Sequence, residues 1–255
     1  MKIVACIKAV PEEQDIVVKS DYSLSFERAE LKVGQYDLNA VEAGVQLGEA
    51  IGDSETIIAT VGTTKLKNSK LQKSMLSRGA SQLFAVVDDS LESVDSYATA
   101  KNLAAVIKQI GDVDLVLCGE GSSDIYSQQV GAMLGQLLRC VSLNAVSKIT
   151  PKDGNLLIER TLEEEIEVLE IQLPAVLSVT TDINTARIPG MKEILAAGKK
   201  PATLWGASDV EIISTSCTEI ISTLAPPPAD RMKIIYEGDS EENINALLEN
   251  LRKVM

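Results

Sequence analysis

Two kinds of apolar pattern alternate along most of this chain. Residues 2–7, 56–62, 83–87, 114–118 and 174–180 are nearly continuous apolar runs, as expected of strands buried on both faces of a parallel sheet. Between them the spacing turns helical. Val41, Val45 and Ile51 mark a helix from about Asp37, and Leu66 to Leu76 mark a second. Leu103, Val106, Ile107 and Ile110 mark a third, and Val130, Met133, Leu134, Leu137 and Leu138 a fourth. Strand and helix alternating in this way predict an α/β fold with an open, doubly wound, mostly parallel sheet. Ligands of such sheets bind outside the carboxyl ends of the strands.

The pattern breaks twice. From Val146 to Ile171 short β-like runs flank Asp153-Gly154-Asn155, which predicts a small hairpin or meander attached to the main sheet. The acidic run Glu163 to Glu165 reads as a solvated turn, since three adjacent side chains do not converge easily on one metal ion. Beyond Trp205 the signals thin out, dividing the chain into a main domain of residues 1–205 and a C-terminal arm of 206–255. In the arm, Ala225-Pro226-Pro227-Pro228-Ala229 is a stiff, extended spacer. Lys233 to Gly238 then reads as one strand, and Asn243 to Val254 as an amphipathic helix with Leu247, Leu248 and Leu251 on its apolar face. So small a unit cannot bury that face alone. It must fold back on its own domain or grip another subunit, and the second is the expectation here.

Chemistry is concentrated in one strand, loop and helix, Asp114 to Gly131. A short apolar run passes through Gly119, Gly121, Ser122 and Ser123 into the fourth helix. The first N–H groups of that helix lack internal partners and the helix dipole favours negative charge there, which suits an anion. An ordinary turn is the competing reading, with Gly relieving strain and Ser or Asp capping the helix. The loop matches neither the Walker nor the dinucleotide fingerprint, so these residues alone leave both readings open. A second segment, Asp182 to Pro201, is locally basic through Arg187, Lys192, Lys199 and Lys200. It carries the apolar Met191 just past Pro189-Gly190. It reads equally as a surface loop entering a short helix or as a docking loop.

Composition narrows the function. The 255 residues are 45% hydrophobic, enough for one large domain with an appendage, and carry a net charge of −13. That charge argues against nucleic acid and against an anionic membrane surface as partners. No run of 18 apolar residues predicts membrane insertion, and Met1 to Cys6 reads as a first strand rather than a signal peptide. The four cysteines, Cys6, Cys118, Cys140 and Cys217, are scattered, and there is no histidine. They read as reduced thiols of a cytoplasmic protein, with no zinc set. The usual general base and nucleophile pairs are also missing, and only 3% of residues are aromatic. These absences favour a binding or carrier role over self-contained catalysis.

Several stretches, in order and spacing, carry a resemblance to a known family: Lys2-Ile-Val-Ala-Cys-Ile-Lys-Ala-Val-Pro-Glu-Glu-Gln-Asp15, Gln35-Tyr-Asp-Leu-Asn-Ala-Val-Glu42, Leu76-Ser-Arg-Gly79, Gln128-Gln-Val-Gly131, Leu173-Pro-Ala-Val176, Asp182-Ile-Asn184 and Lys199-Lys-Pro201. Across nearly its whole length the chain resembles the β subunit of electron transfer flavoprotein, and most closely the Fix-type branch linked to carnitine and anaerobic acyl-CoA metabolism. The resemblance implies a Rossmann-like adenine-nucleotide-binding fold and an α subunit partner that holds most of the redox-active FAD. It also implies a nucleotide site of this chain's own, binding AMP in common members and a second FAD in electron-bifurcating ones.

Carried over by position, that site involves Cys6 on the first strand, Gly34, Gln35, Tyr36 and Asp37 at a helix start, and Thr60 after the second strand. From the opening loop it takes Glu120, Gly121, Ser122, Ser123, Asp124, Ser127, Gln128, Gln129, Val130 and Gly131. Gly34-Gln35 replaces an Asn-Pro common in the family. Asp124-Ile125-Tyr126-Ser127 is bulkier than the glycine-containing bifurcating pattern and so favours AMP over a second FAD. The basic loop, with Arg187, Met191 and Lys192, corresponds to the segment that recognises acyl-CoA dehydrogenases. Met191 stands where an anchoring leucine is usual, and Ala196 where some relatives carry a methylated lysine. The implied function is an electron carrier subunit that performs no bond-breaking chemistry. A stand-alone adenine-nucleotide sensor without a redox partner is the alternative. A nucleotide hydrolase or adenylyl-transfer enzyme would need a catalytic group, for which Asp124 is the obvious candidate.

Overall fold

The computed structural model describes residues 1–229 and 233–254. In chain order its strands are β1 (Lys2–Cys6), β2 (Ala9–Pro11), β3 (Val17–Val18), β4 (Leu24–Ser25), β5 (Leu31–Val33), β6 (Glu55–Gly62), β7 (Gln82–Val87), β8 (Leu115–Gly119), β9 (Val141–Lys152), β10 (Asn155–Thr161), β11 (Ile166–Ile171), β12 (Ala175–Val179) and β13 (Ala202–Trp205). The helices are α1 (Gln35–Ile51), α2 (Ser69–Leu76), α3 (Ser96–Ile110), α4 (Val130–Leu138), α5 (Met191–Ala197) and α6 (Glu241–Val254). The chain divides into two compact units, one of residues 1–17 and 25–222, the other of 18–24 and 223–255.

The first unit is built on a nine-stranded sheet in the order β11-β10-β9-β12-β8-β1-β6-β7-β13. Every pair from β9 to β13 is parallel, whereas β9, β10 and β11 form an antiparallel meander. The expected α/β architecture is therefore present, with the hairpin-like addition at one edge. Glu163 to Glu165 lie exposed in the turn between β10 and β11, as expected. The chain winds outward from β1 through β6 and β7, then returns to β1's other side with β8. The sheet thus reverses direction between β1 and β8, where open α/β sheets present their ligand crevice.

Both faces are covered. On one, Val41 and Val45 of α1 and Leu71, Met75 and Leu76 of α2 pack on Ala5, Ile58, Leu83 and Ala85. On the other, Leu103, Val106 and Ile107 of α3 and Leu134 of α4 pack on Val4, Ile57, Val116 and Val176. The remaining stripe of α1, Ala40, Ala43 and Leu47, covers Ile3, Leu115, Leu117 and Leu177 beside the meander. Each fully buried Leu or Ile contributes about 2 kcal/mol by leaving water, which is why two-sided strands read as continuous apolar runs.

Some expectations need correction. α1 begins at Gln35, two residues before the apolar spacing suggests, because Gly34 already accepts from Leu38 N–H at 3.3 Å. The Leu66–Leu76 pattern splits into a 3-10 turn at Thr64–Lys67 and α2, whose cap is the Asn68 side chain accepting from Lys70 and Leu71 N–H. In the second unit, residues 233–238 form no strand. Lys233 sits at φ +50°, outside the extended region, and Tyr236 turns its hydroxyl to the Ala246 carbonyl and the Asn250 amide of α6. The apolar Ile234-Ile235 pair thus has no ladder to join. Ser23 and Leu224 form an isolated antiparallel bridge in the same unit.

Candidate functional site

The short pair β2–β5 positions the site. The two strands run antiparallel, so the chain that leaves β1 at Cys6 returns to it, and Gly34 N–H donates to the Lys8 carbonyl at 3.0 Å. α1 therefore starts directly at the carboxyl end of β1. Its third residue, Asp37, is 7% exposed and accepts from Lys8 N–H at 2.7 Å. Burial raises the Asp37 carboxyl from 3.8 to about 7, against the lowering pull of the Lys8 and Gly119 backbone N–H groups and the Lys8 charge. Asp37 thus ties the end of β1 to the end of β8 across the sheet's reversal point. Gly119 is required for this approach, because a Cβ there would lie 2.8 Å from the Asp37 Oδ1 and 2.8 Å from the Tyr36 carbonyl carbon.

Beyond Gly119 the β8–α4 loop crosses in front of the crevice, held by side chains from three other elements. Lys8 Nζ pairs with Asp124 at 2.7 Å. The Tyr126 ring stands 5.1 Å from the Tyr36 ring and covers Gly121, where a Cβ would come within 2.5 Å of it. The Ser127 hydroxyl lies 3.1 Å from that of Ser96, the first residue of α3. Burial pushes the Asp124 carboxyl up, but hydrogen bonds from Lys8 and Ser122 leave it below its ordinary value. Burial raises Glu120. Tyr126 and Gln128 adopt left-handed conformations, φ +52° and +55°. Ile125 points to solvent at 63% exposure, so Tyr126 carries any crowding of the loop.

The loop ends at α4, whose first turn has no capping side chain at Gln129. Gly131 lets this turn lie against β12, since a Cβ there would stand 2.1 Å from Ser178 Oγ. The helix start, the loop and the Asp37 bridge therefore share the carboxyl edge between β1 and β8.

Cys6 and Cys118, near the ends of β1 and β8, are buried together in the core on the α3–α4 face. Interaction with Cys118 and burial raise the Cys6 thiol, keeping it protonated. Thr60 is fully buried with no hydrogen-bond partner for its hydroxyl. Strand alternation puts that hydroxyl on the Ile58 side, facing α1 and α2, opposite Cys6. An adenine nucleotide suits the chemistry of this edge: strand-end backbone groups, loop hydroxyls and an open helix start, with Thr60 in the core beneath it. Sequence reasoning missed Lys8 and Ser96, whose ties to the loop bridge 116 and 31 positions respectively. The position of Lys8 two residues past a strand end was the available signal for the first.

The second candidate region is separate. Residues 181–190 carry no regular structure and lead into α5. Arg187, expected at the partner surface, instead turns inward, its Nε donating to Glu42 at 2.7 Å and its Nη1 to Glu49 at 3.2 Å. The apolar residues after it face outward, with Ile188 92%, Met191 74% and Leu195 69% exposed. Lys192 is exposed beside Met191.

Among the described residues no helix is long and apolar enough to cross a membrane. The family model of the electron transfer flavoprotein domain matches residues 23–210, well over half of the chain.

Proposed function

The chain belongs to the electron transfer flavoprotein domain family, and from that membership we propose that it is the β subunit of a heterodimeric electron transfer flavoprotein, exchanging electrons with an acyl-CoA dehydrogenase-type partner. The observation that carries the reading is the coincidence of an open sheet edge, bridged by Asp37 at the reversal point, with an outward-facing apolar loop elsewhere on the same unit. When bound, FAD held mainly by the α subunit supplies the electron-carrying chemistry. This chain's residues bind and present.

Backbone groups at the ends of β1, β6 and β8 serve the adenosine part of an AMP. The free N–H groups from Ser127 to Gly131 serve its phosphate at the start of α4. Tyr126, lying on Gly121, narrows the room for a diphosphate and favours AMP over a second FAD. Met191 is the partner anchor, a flexible thioether suited to an apolar pocket. The half-exposed Ile244, Leu247, Leu248 and Leu251 of α6 support its role as an arm gripping the α subunit. From the resemblance of its sequence to the Fix-type branch we infer a cytoplasmic carrier acting in anaerobic enoyl-CoA or carnitine-type reduction.

Co-expression with an α subunit, followed by counting bound FAD and AMP, tests this reading. One FAD and one AMP per heterodimer is the expected result. Two FAD overturn the nucleotide assignment, and a complex without flavin overturns the function.

A further inference from the structure

The segment before Met191 is irregular in backbone but held at Thr181, Asn184 and Arg187 by side chains of one helix, α1. Asn39 and Asn184 form a reciprocal amide pair: Asn39 Nδ2 donates to the Asn184 carbonyl at 2.9 Å and to its Oδ1 at 3.1 Å, while Asn184 Nδ2 donates to the Asn39 carbonyl at 3.1 Å. Asn39 Nδ2 also lies 3.4 Å from the Thr181 carbonyl. Glu42 stands three residues further along α1, on the same side of the helix. Its carboxylate receives Arg187 through three donors, Nε at 2.7 Å, Nη2 at 3.1 Å and the backbone N–H at 3.2 Å. Gln46 steadies Glu42 from the next turn at 2.8 Å, and Glu49 takes the other edge of the guanidinium at 3.2 Å. From α2's end, Arg78 Nη1 holds the Arg187 carbonyl at 2.8 Å.

The chemistry of this clamp is costly for a purely structural joint. Glu42 is only 4% exposed, and burial pushes its carboxyl up before the Arg187 and Gln46 hydrogen bonds bring it below the ordinary value. Arg78 is half-buried with an Nε that finds no partner. Apolar side chains of similar size would join a loop to a helix with less desolvation. What charged, directional contacts add is a fixed geometry. Here they fix Arg187, four residues from Met191, which is itself 74% exposed.

We propose that Glu42 and Asn39 are positioning residues for partner docking, holding residues 181–190 from α1 so that Met191 is presented on a preordered loop. The proposal rests on the docking role of Met191 given above. A partner meeting an ordered loop does not bear the entropy of ordering it, so the clamp acts on affinity and not on electron transfer itself. Because the same helix contributes Asp37 to the nucleotide edge, α1 serves both regions with different residues.

The test uses the complete heterodimer with an acyl-CoA dehydrogenase of the same cell. Glu42→Gln should raise the KM for the carrier roughly tenfold with kcat and bound FAD unchanged, and should speed hydrogen exchange of residues 184–191. In a Met191→Ala background the same substitution should leave KM unaffected, since the anchor it positions is gone. Asn184→Ala, which releases the loop without altering α1, should reproduce the pattern if Glu42→Gln folds poorly. An unchanged KM in Glu42→Gln and Asn184→Ala overturns the proposal, as does an equal rise in both backgrounds. If Met191→Ala alone leaves KM unchanged, the docking reading itself has failed.

Discussion

The two regions that α1 serves are held in opposite ways. At its first turn, the crevice between β1 and β8 is organised by backbone: Lys8 N–H on a buried Asp37, Gly119 against Tyr36, Gly131 against Ser178. Within the next turn and a half, residues 181–190 are held by side chains of the same helix, Asn39 with Asn184 and Glu42 with Arg187, and Ile188, Met191 and Leu195 beyond them are exposed. A backbone-built site tolerates little change in volume or charge at its few close approaches. A loop fixed by side chains can change its exposed residues at no cost to the fold. The first arrangement suits a ligand that stays in place, the second a partner that comes and goes.

Asp37 offers the largest way to break this comparison. Its carboxyl is raised from 3.8 to about 7, so the folded chain holds the proton more tightly than the unfolded one. The Asp37 contribution therefore favours folding most below about pH 4 and is lost as pH rises to about 7, a change on the order of 3 kcal/mol. Asp37→Asn carries no such charge. Thermal melts at pH 5 and pH 8 should show the wild type losing more stability across that interval than Asp37→Asn, by roughly 10 °C. Parallel pH profiles for the two proteins would mean the crevice does not desolvate this carboxylate.

Gly119→Ala is next. The added Cβ meets backbone that cannot rotate away, and overpacking of this kind costs about 1–3 kcal/mol. The variant should melt lower and lose AMP together, as calorimetry with added AMP would show. Met191→Glu should do the reverse. Removing an apolar anchor and placing a charge in its pocket costs about 2 kcal/mol or more of binding, a rise in KM of at least roughly thirtyfold. The melting temperature should stay within about 1 °C, because Met191 is 74% exposed. Equal loss of stability in both variants would erase the distinction between the regions.

The sequence made the first region more legible than the second. Continuous apolar runs identified the parallel strands β1, β6, β7, β8 and β12 because burial on both sides leaves no polar alternation, and the Gly119, Gly121 and Ser122 cluster located the loop. Apolar pattern could not reveal β2, β5 and β13, each of three or four residues, although β2 and β5 bring α1 to its place. The clamp was invisible for another reason. Asn39 and Asn184 are 145 positions apart, and an Asn, a Glu and an Arg at such distances look like surface residues until the fold joins them. Arg187 was accordingly expected to face the partner, and it faces Glu42. At the C-terminal end, Ile234-Ile235 had the composition of a strand but no neighbouring strand, and a ladder needs two.

The smallest predicted effect concerns the loop that closes the crevice. The Lys8–Asp124 pair is short, 2.7 Å, but its side chains are 45% and 29% exposed, so water and salt screen it and its contribution to stability is about 0.5 kcal/mol. Lys8→Met should therefore barely move the melting temperature. Its backbone N–H still reaches Asp37, so the crevice beneath is preserved. The consequence should appear in the loop: with Asp124 released, residues 121–129 lose their ion pair to Lys8 and keep the Tyr36–Tyr126 and Ser96–Ser127 contacts and their own internal hydrogen bonds, and their hydrogen exchange should quicken by a few-fold. Raising the salt concentration should quicken exchange in the wild type toward the same level and leave Lys8→Met unchanged. A loop whose exchange ignores both changes is held by its own backbone. It would then belong wholly with the crevice, and the contrast with residues 181–190, which are held through side chains of α1, would be sharper.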